Sequence, residues 1–432
     1  MHLEESANVA QLKSWLESHG GAFHPSVKLV SDSSETKGLN AVASHDIPAS
    51  EPVARTPIDL VITSAKARNC ICDILRPSPA EILTSETWSE RQSIGLYLSL
   101  HSLIPRQVPR IRSRHPSLLH RPYVSALPHA STLRAAIHFT DDELLAFKGT
   151  NLYGATIDRT QLLREEWQKC RDLLQSCSSE LAAKLTWELY SAAATHYTSR
   201  AFPSSMLEEN PTLQVSSQTE PVLIPGVDCL NHYRARPVTW LVETRPVGQR
   251  PTVANDHTPA DAPPFVAVIP LTPTPAGAEV FNNYGPKPNS ELILGYGFTL
   301  EDNADDTIVL KLGGGGGETW EIGRRWNEQH ERLWQRILGS LVEDEPTFED
   351  RLEAASMLMD MVQQKLDALP DTMAPRSMRP EVAQMLKHYV DGQRDVLQNL
   401  LEFAASKEEE AIAAAKEQGV ELVFDDDEAG EV

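Results

Sequence analysis

The sequence is poor in cysteine: Cys70, Cys72, Cys170, Cys177 and Cys229 are the only five in 432 residues. Few, scattered and odd in number, they exclude a disulfide scaffold and a multi-cysteine zinc centre, and they point to a reducing compartment. Nowhere does an apolar run approach the ~18–20 residues that a membrane helix needs. The first residues carry Glu4 and Glu5 instead of a basic and then apolar leader. Secretion is therefore not expected, and an intracellular place, cytoplasm or nucleus, is. Basic charge is also short, with 39 Lys and Arg against 61 Asp and Glu and a formal net charge of −22. Such a surface repels phosphate backbones, which disfavours direct nucleic-acid binding and suits a basic protein partner. Part of the excess lies in residues 402–431, with eleven acids against two lysines, including the run Asp425-Asp426-Asp427-Glu428. A solvated, solubilising tail is the plain reading of that run. The hydrolase signatures G-x-S-x-G and H-E-x-x-H are absent as well.

What is present reads as changes of texture along a chain long enough for two or three domains. Val9, Leu12, Trp15 and Leu16 share one helical face that stops at Gly20-Gly21, so the spacing predicts a short amphipathic helix. Val27–Val30 alternates as a strand, and residues 37–63 predict short strands broken by Gly38, Pro48, Pro52 and Pro57. From Ser64 to about Phe202 the pattern turns helical, most clearly over 179–197, where Leu181, Leu185, Leu189 and Ala192 or Ala193 recur. Strand character returns at 222–227, 238–244, 265–271 and 278–284, with a Pro-, Thr- and Asp-rich loop over about 245–264. After the apparent strand TIVLKL come five glycines, 313–317, and then helices to the end. The longest covers 381–418, striped by Val382, Met385, Leu386, Tyr389, Leu397, Leu400, Leu401 and Ala404. Gly392 inside it costs ~1 kcal/mol relative to Ala and invites a kink or break. No repeat at a solenoid period is seen. The order of strands, helical insert, strands and helical C-terminal region gives an α+β class and disfavours a doubly wound parallel sheet. The boundaries read as 1–63, 64–202, 203–300 and 313–432.

Several candidate sites reduce to ordinary structure. The glycine run fails as a nucleotide loop, because a G-x-G-x-x-G begun at Gly313 ends on Glu318 and no Gly-Lys-Ser/Thr follows. A flexible interdomain connector is the better reading. Cys70-Ile71-Cys72 has no second pair for a metal. Arg106, Arg110, Arg112, Arg114 and Arg121, interrupted by prolines, read as an exposed loop. Two strings stand out. In VLIPGVDCLNHY a strand ends on Asp228, Asn231 and His232; in AEVFNNYGPKPNSELILGYGF a strand ends at Tyr284-Gly285, followed by a helix cap at Asn289 and the cluster Tyr296-Gly297-Phe298. Taken singly, each is equally well read as core polar groups or core aromatics around tight turns.

Together and in this order, the two strings resemble the SET-domain methyltransferases, in the Rubisco large-subunit methyltransferase-like branch with a split SET domain and a helical substrate-binding domain. WLESHGG, KGLNAVASHDIPASEPV, PYVSALP, FTDDELLAFKGTNL and HYTSRAF fit the same branch, so the match spans about residues 8–300, and the C-terminal helices fit by position and texture. The resemblance implies a SET β-fold with a pseudoknot, a helical insert and an all-α C-terminal domain that binds substrate. It further implies methyl transfer from S-adenosylmethionine, without a metal, to a lysine of a non-histone protein such as a ribosomal protein or translation factor, by a monomer. By resemblance Tyr284 is catalytic. Gly38, Leu39, Arg200, Asp228, Asn231, His232 and Tyr284 contact the cofactor, with Arg200 on its carboxylate, while Phe202, Tyr296 and Phe298 wall the substrate channel. Such roles suit the chemistry: a sulfonium favours carbonyl oxygens and aromatic faces, and an amine that must lose its proton favours an apolar channel.

Two departures bear on substrate. Gly226-Val227 precede Asp228 where a histidine-methylating branch carries a bulky tryptophan, and Ala201-Phe202 follow Arg200 where that branch is polar. Both favour lysine over histidine. The 245–264 loop leaves the target open. A SET protein that binds without catalysis is the alternative of a different class, and histidine methylation ranks below it.

Overall fold

The four apolar residues at helical spacing near the start, Val9, Leu12, Trp15 and Leu16, are the four buried residues of the helix Ala7–Ser18, which Ser6 caps by accepting the Val9 N–H. The computed structural model describes residues 5–31, 38–76, 78–85, 87–104, 118–243, 263–313, 317–342, 344–373 and 377–422. Arg106, Arg110, Arg112 and Arg114, nearly all of the 245–264 loop, the middle of the glycine run and the Asp425–Glu428 run lie outside the described residues. The chain divides into two compact units, Met1–His138 with Asp158–Pro286, and Phe139–Ile157 with Lys287–Val432. Residues 139–157, within the stretch that the sequence reads as one insert, thus group with the second unit.

In the first unit the strands are β1 (Ala22–Phe23), β2 (Val27–Ser31), β3 (Leu39–Ala43), β4 (Ala54–Pro57), β5 (Ala201–Pro203), β6 (Pro221–Leu223), β7 (Val238–Glu243) and β8 (Phe265–Pro270). An antiparallel sheet has the order β1-β4-β8-β7, and β2-β3 and β5-β6 form antiparallel pairs. Every residue of β8 is buried. That is why its sequence is a continuous apolar run instead of an alternation: both faces are covered. The helix expected over 179–197 is two helices, Ser179–Lys184 and Trp187–Arg200. Thr186 separates them, extended and accepting the Leu189 N–H at 3.2 Å, so its cap competes with continuation of the helix. The strand expected at 278–284 forms no continuous ladder. Its Val280 N–H reaches Ala41 O at 2.7 Å and its Asn282 N–H reaches Asn231 O at 2.8 Å, so the segment bridges two partners in turn.

The second unit holds a hairpin, β9 (Thr307–Leu312) and β10 (Glu318–Gly323), and the helices Glu328–Leu341, Phe348–Ala368 and Pro380–Glu417. Leu312 pairs with Glu318. The glycine run therefore joins two paired strands, and the connector reading is corrected; a Cβ on Gly317 would lie 2.1 Å from Leu312 O, so only glycine closes this turn. The long helix runs unbroken through Gly392, where a Cβ would fall 2.2 Å from Asp306 Oδ2. Glycine is there for close approach. The segment 139–157 is fastened by Glu143, whose carboxylate accepts the Arg379 backbone N–H at 3.0 Å, Nε at 2.8 Å and Nη2 at 2.6 Å. Burial alone would raise the Glu143 pKa; the Arg379 bonds and the Thr140 N–H outweigh it and hold it down to about 2.

Candidate functional site

The loop after β6 turns at Gly226, with φ +97, where a Cβ would press on Leu16 Cδ1 at 3.0 Å. This left-handed turn drops Asp228 into the interior. The Asp228 carboxylate accepts the Gly226 N–H at 2.9 Å and the Tyr123 hydroxyl at 2.6 Å, and the Arg200 guanidinium stands 3.5 Å away. Arg200 also donates to Asp228 O at 2.9 Å. Burial pushes the Asp228 carboxyl up, with Arg200, Tyr123 and Gly226 pulling the other way. For Arg200, burial acts to lower the pKa, but the Asp228 charge outweighs it and the net direction is up, so the guanidinium stays cationic. Tyr123 is pushed well above its ordinary value by burial and then by Asp228, so its proton stays in place as a donor. Asp228, expected at the cofactor, has its carboxylate turned to these three groups and sets the position of Arg200. The Arg200 Nε is buried with no hydrogen-bond partner among the described residues.

Asn231 and His232 follow. The Asn231 amide nitrogen lies 3.2 Å from Leu39 O, 2.9 Å from Asn40 Oδ1 and 2.7 Å from Glu279 Oε1, which joins the Gly38-Leu39 turn to this loop. With its NH₂ so occupied, Asn231 has its Oδ1 left to offer a ligand. Gly38 takes φ +71, a conformation that suits glycine, and β3 starts directly after it. His232 and Asn282 form a parallel bridge, with the Tyr233 N–H donating to Asn282 O at 3.0 Å. His232 Nδ1 accepts the Tyr284 backbone N–H at 3.0 Å, and the two rings stack with centroids 5.1 Å apart and planes at 26°. The Tyr284 hydroxyl donates to Leu230 O at 2.9 Å. Asn282 is fully buried, and its Nδ2 has no partner among the described residues.

The structure thus brings together Gly38, Leu39, Asn231, His232 and Tyr284, with Arg200 and Asp228 anchored on the same loop. Phe202 sits in β5 opposite Val222, buried in the hydrophobic core of the first unit. Tyr296 and Phe298 lie in the second unit, with ring centroids 6.1 Å apart at 75°. Tyr296 ends a π-helical turn, Leu292–Tyr296, closed by Gly297 at φ +83, and Phe298 follows it. Burial pushes the Tyr296 phenol up, with the Lys287 ammonium, 5.6 Å from its ring centroid, opposing. Asn289 is not the cap of the short helix Asn289–Glu291, which starts after Pro288; its side chain instead bonds Asp306 and Leu300. Tyr123, Glu279 and Asn282 were missed at the level of the sequence. Only PYVSALP and AEVFNNY carried them, and nothing in those strings distinguishes them from core or strand residues.

Among the described residues no group of three or more His, Cys, Asp or Glu is placed to hold a metal ion, and no helix is long and apolar enough to cross a membrane. No family model matches the chain. Curated relatives do match. The chain is 27% identical over 297 residues to the ribosomal lysine N-methyltransferase set10 of Schizosaccharomyces pombe, covering 68% of this chain and 46% of that protein. Ribosomal lysine N-methyltransferase 1 of Saccharomyces cerevisiae is 27% identical over 225 residues, covering 44% of this chain and 34% of that protein. The chain therefore spans less than half the length of these two relatives. In three dimensions it resembles the SET domain of LSMT solved with lysine and AdoHcy, with a TM-score of 0.66 and 17% identity over 98% of this chain and 96% of that one. The fold is the SET-domain fold with a helical C-terminal region. Fold and sequence relatives alike match the branch that the motifs resemble.

Proposed function

We propose that the chain is an S-adenosylmethionine-dependent protein-lysine N-methyltransferase acting on a non-histone protein, a ribosomal protein or a translation factor. The observation that carries this reading is the mounting of Tyr284. Its N–H is fixed on His232 Nδ1, its ring on the His232 ring and its hydroxyl on Leu230 O, so the phenol oxygen is held in one place beside the Asn231–His232 loop. The names of the curated relatives, three of them ribosomal or yeast protein-lysine methyltransferases, support the same activity.

The residues present fit such a donor. Among the described residues Arg200 keeps a buried Nε and Asn282 a buried Nδ2 without a partner, and the Asn231 side chain adds a carbonyl oxygen, a set suited to a carboxylate, a heterocycle and an ammonium. Arg200 would hold the carboxylate, Asn231 and His232 the amino-acid and adenine portions, and the Gly38-Leu39 backbone would approach closely. When bound, S-adenosylmethionine supplies an electrophilic methyl group on a sulfonium sulfur. The Tyr284 oxygen, its O–H donating a hydrogen bond to Leu230 O, has lone pairs to orient an incoming amine, and positioning of this kind supplies much of the acceleration of an in-line displacement. Phe202, Tyr296 and Phe298 are proposed as the residues of the substrate channel.

The test is incubation of the purified chain and labelled methyl donor with lysate lacking the endogenous enzyme, followed by mapping of the labelled residue. Label on a lysine is expected; label on histidine, or none with folded protein, refutes the reading. Tyr284→Phe keeps the ring stack and removes one hydroxyl. It should lower turnover by roughly a hundred- to a thousandfold, ~3–4 kcal/mol, with cofactor affinity nearly intact by calorimetry. Wild-type turnover in that variant would remove Tyr284 from the mechanism.

A further inference from the structure

The turn Tyr233–Arg236 lies immediately after His232 and is tied on both sides to the segment that leads into Tyr284. The Tyr233 N–H donates to Asn282 O at 3.0 Å, the Arg236 N–H closes the turn on Tyr233 O at 3.2 Å, and the Asn283 Nδ2 donates to Arg236 O at 3.2 Å. Ala235 occupies the left-handed region at φ +56, an uncommon place for a residue with a Cβ, so the turn is held in a specific shape. On this mount stand two features that the methyl-transfer chemistry does not use. Tyr233 is 55% exposed, and its ring lies 5.2 Å from that of Phe281, tilted at 44°. The two make an aromatic ledge one residue from His232 and three from Tyr284. Arg236 is half-buried, makes no ion pair or side-chain hydrogen bond among the described residues, and has a buried Nε without a partner.

In a chain of net charge −22, Arg236 is a guanidinium that no acid pairs among the described residues. Acids are abundant, and a half-buried guanidinium with an unpartnered Nε is well matched by a carboxylate. The fork geometry of arginine suits a carboxylate, and the aromatic ledge suits an extended peptide lying across it.

We propose that Tyr233 and Arg236 form the docking surface for the residues flanking the target lysine, with Arg236 selecting an aspartate or glutamate close to that lysine. This rests on the methyltransferase reading above and adds a local rule to it. The substrate is basic as a whole, and its methylation site carries an acidic neighbour.

The experiment uses the full chain and an oriented peptide library with a fixed central lysine and degenerate flanks, read by retention on the immobilised protein and, separately, by incorporation of labelled methyl. Asp and Glu are expected to be enriched about tenfold at one flanking position in wild type. In Arg236→Glu that position should change to Lys and Arg, and in Arg236→Lys the acidic preference should persist but weaken. Melting temperatures accompany each variant, and Arg236→Lys keeps the comparison readable if the reversal fails to fold. Tyr233→Ala should lower retention of all peptides about equally. Acidic preference in retention without incorporation supports the surface and refutes catalysis. Incorporation with no acidic preference, or with the same preference in Arg236→Glu, overturns the surface and leaves catalysis standing. Neither retention nor incorporation overturns both.

Discussion

Among the described residues each unit buries one aspartate, and the two are compensated differently. Asp228 in the first unit is 5% exposed and Asp306 in the second is 1% exposed. Burial pushes both carboxyls up from their ordinary value; what differs is what opposes it. Asp228 faces a guanidinium, a phenol and a backbone N–H. The Asp306 carboxylate accepts the Asn289 backbone N–H at 2.7 Å and its side-chain Nδ2 at 3.0 Å, and it lies against Gly392. The Asn289 bonds, and after them the Arg324 charge, oppose burial, yet the Asp306 carboxyl stays raised to about 6. Asp228 holds a second charge, Arg200, in place, whereas Asp306 joins a turn to a helix mainly through the two Asn289 bonds.

The largest effect should come from breaking the charged arrangement. Asp228→Ala strands the buried Arg200 guanidinium and the Tyr123 hydroxyl, and should cost ~3–5 kcal/mol in urea unfolding while also weakening S-adenosylmethionine binding. A loss below ~1 kcal/mol would mean that Arg200 finds another partner or water.

The second effect concerns pH. Asp306 has an ordinary value of 3.8 and a folded value of about 6, so the native state binds its proton more tightly than the unfolded chain does. The stabilisation is fully present below pH ~4, is lost as pH rises from there to about 6, and is flat above. At about 1.4 kcal/mol per tenfold change, the loss is roughly 3 kcal/mol. Asp306→Asn cannot ionise, so the difference in stability between variant and wild type should change across pH 4–6 and be constant above pH 7. A constant difference throughout would contradict the raised value. Glu143 runs the opposite way: its pairing is present above its ordinary value of 4.5 and lost as pH falls toward about 2.

The smallest effect reverses a usual rule. Gly→Ala inside a helix normally stabilises by ~1 kcal/mol. Gly392→Ala should instead destabilise by ~1–2 kcal/mol, because both oxygens of Asp306 are held and cannot easily move from the new Cβ. Combining it with Asp306→Ala should restore most of the loss in a double-mutant cycle. Additive losses would mean that the two sites are uncoupled.

Much of this molecule was legible in the sequence wherever a pattern is local. The first helix, β7, β8 and the long C-terminal helix announce themselves by periodicity, because their burial depends on spacing within one segment. The break at Thr186 was harder, since the leucine spacing continues across it and only a threonine in extended conformation interrupts the hydrogen bonding. Residues 278–284 read as a strand because they are extended and half-apolar, yet their partners lie on two distant segments, which no local pattern encodes. The same holds for the site. Asn231, His232 and Tyr284 were found through a resemblance of whole strings, whereas Tyr123 and Glu279 acquire meaning only once residues 105 and 48 positions away, Asp228 and Asn231, are seen beside them.

The bond between Glu143 and Arg379 has a consequence for synthesis. The two residues are 236 positions apart, and at about 5–20 residues per second the ribosome delivers the arginine roughly 12–50 seconds after the glutamate. Throughout that interval the segment 139–157 is already outside the ribosome with its anchoring carboxylate unmatched and its apolar residues, Phe147 and Leu152 among them, awaiting the helix that covers them. The second unit cannot close until Arg379 and the helix Pro380–Glu417 have been made. Until then the segment 139–157 is the part of the growing chain left with exposed apolar surface.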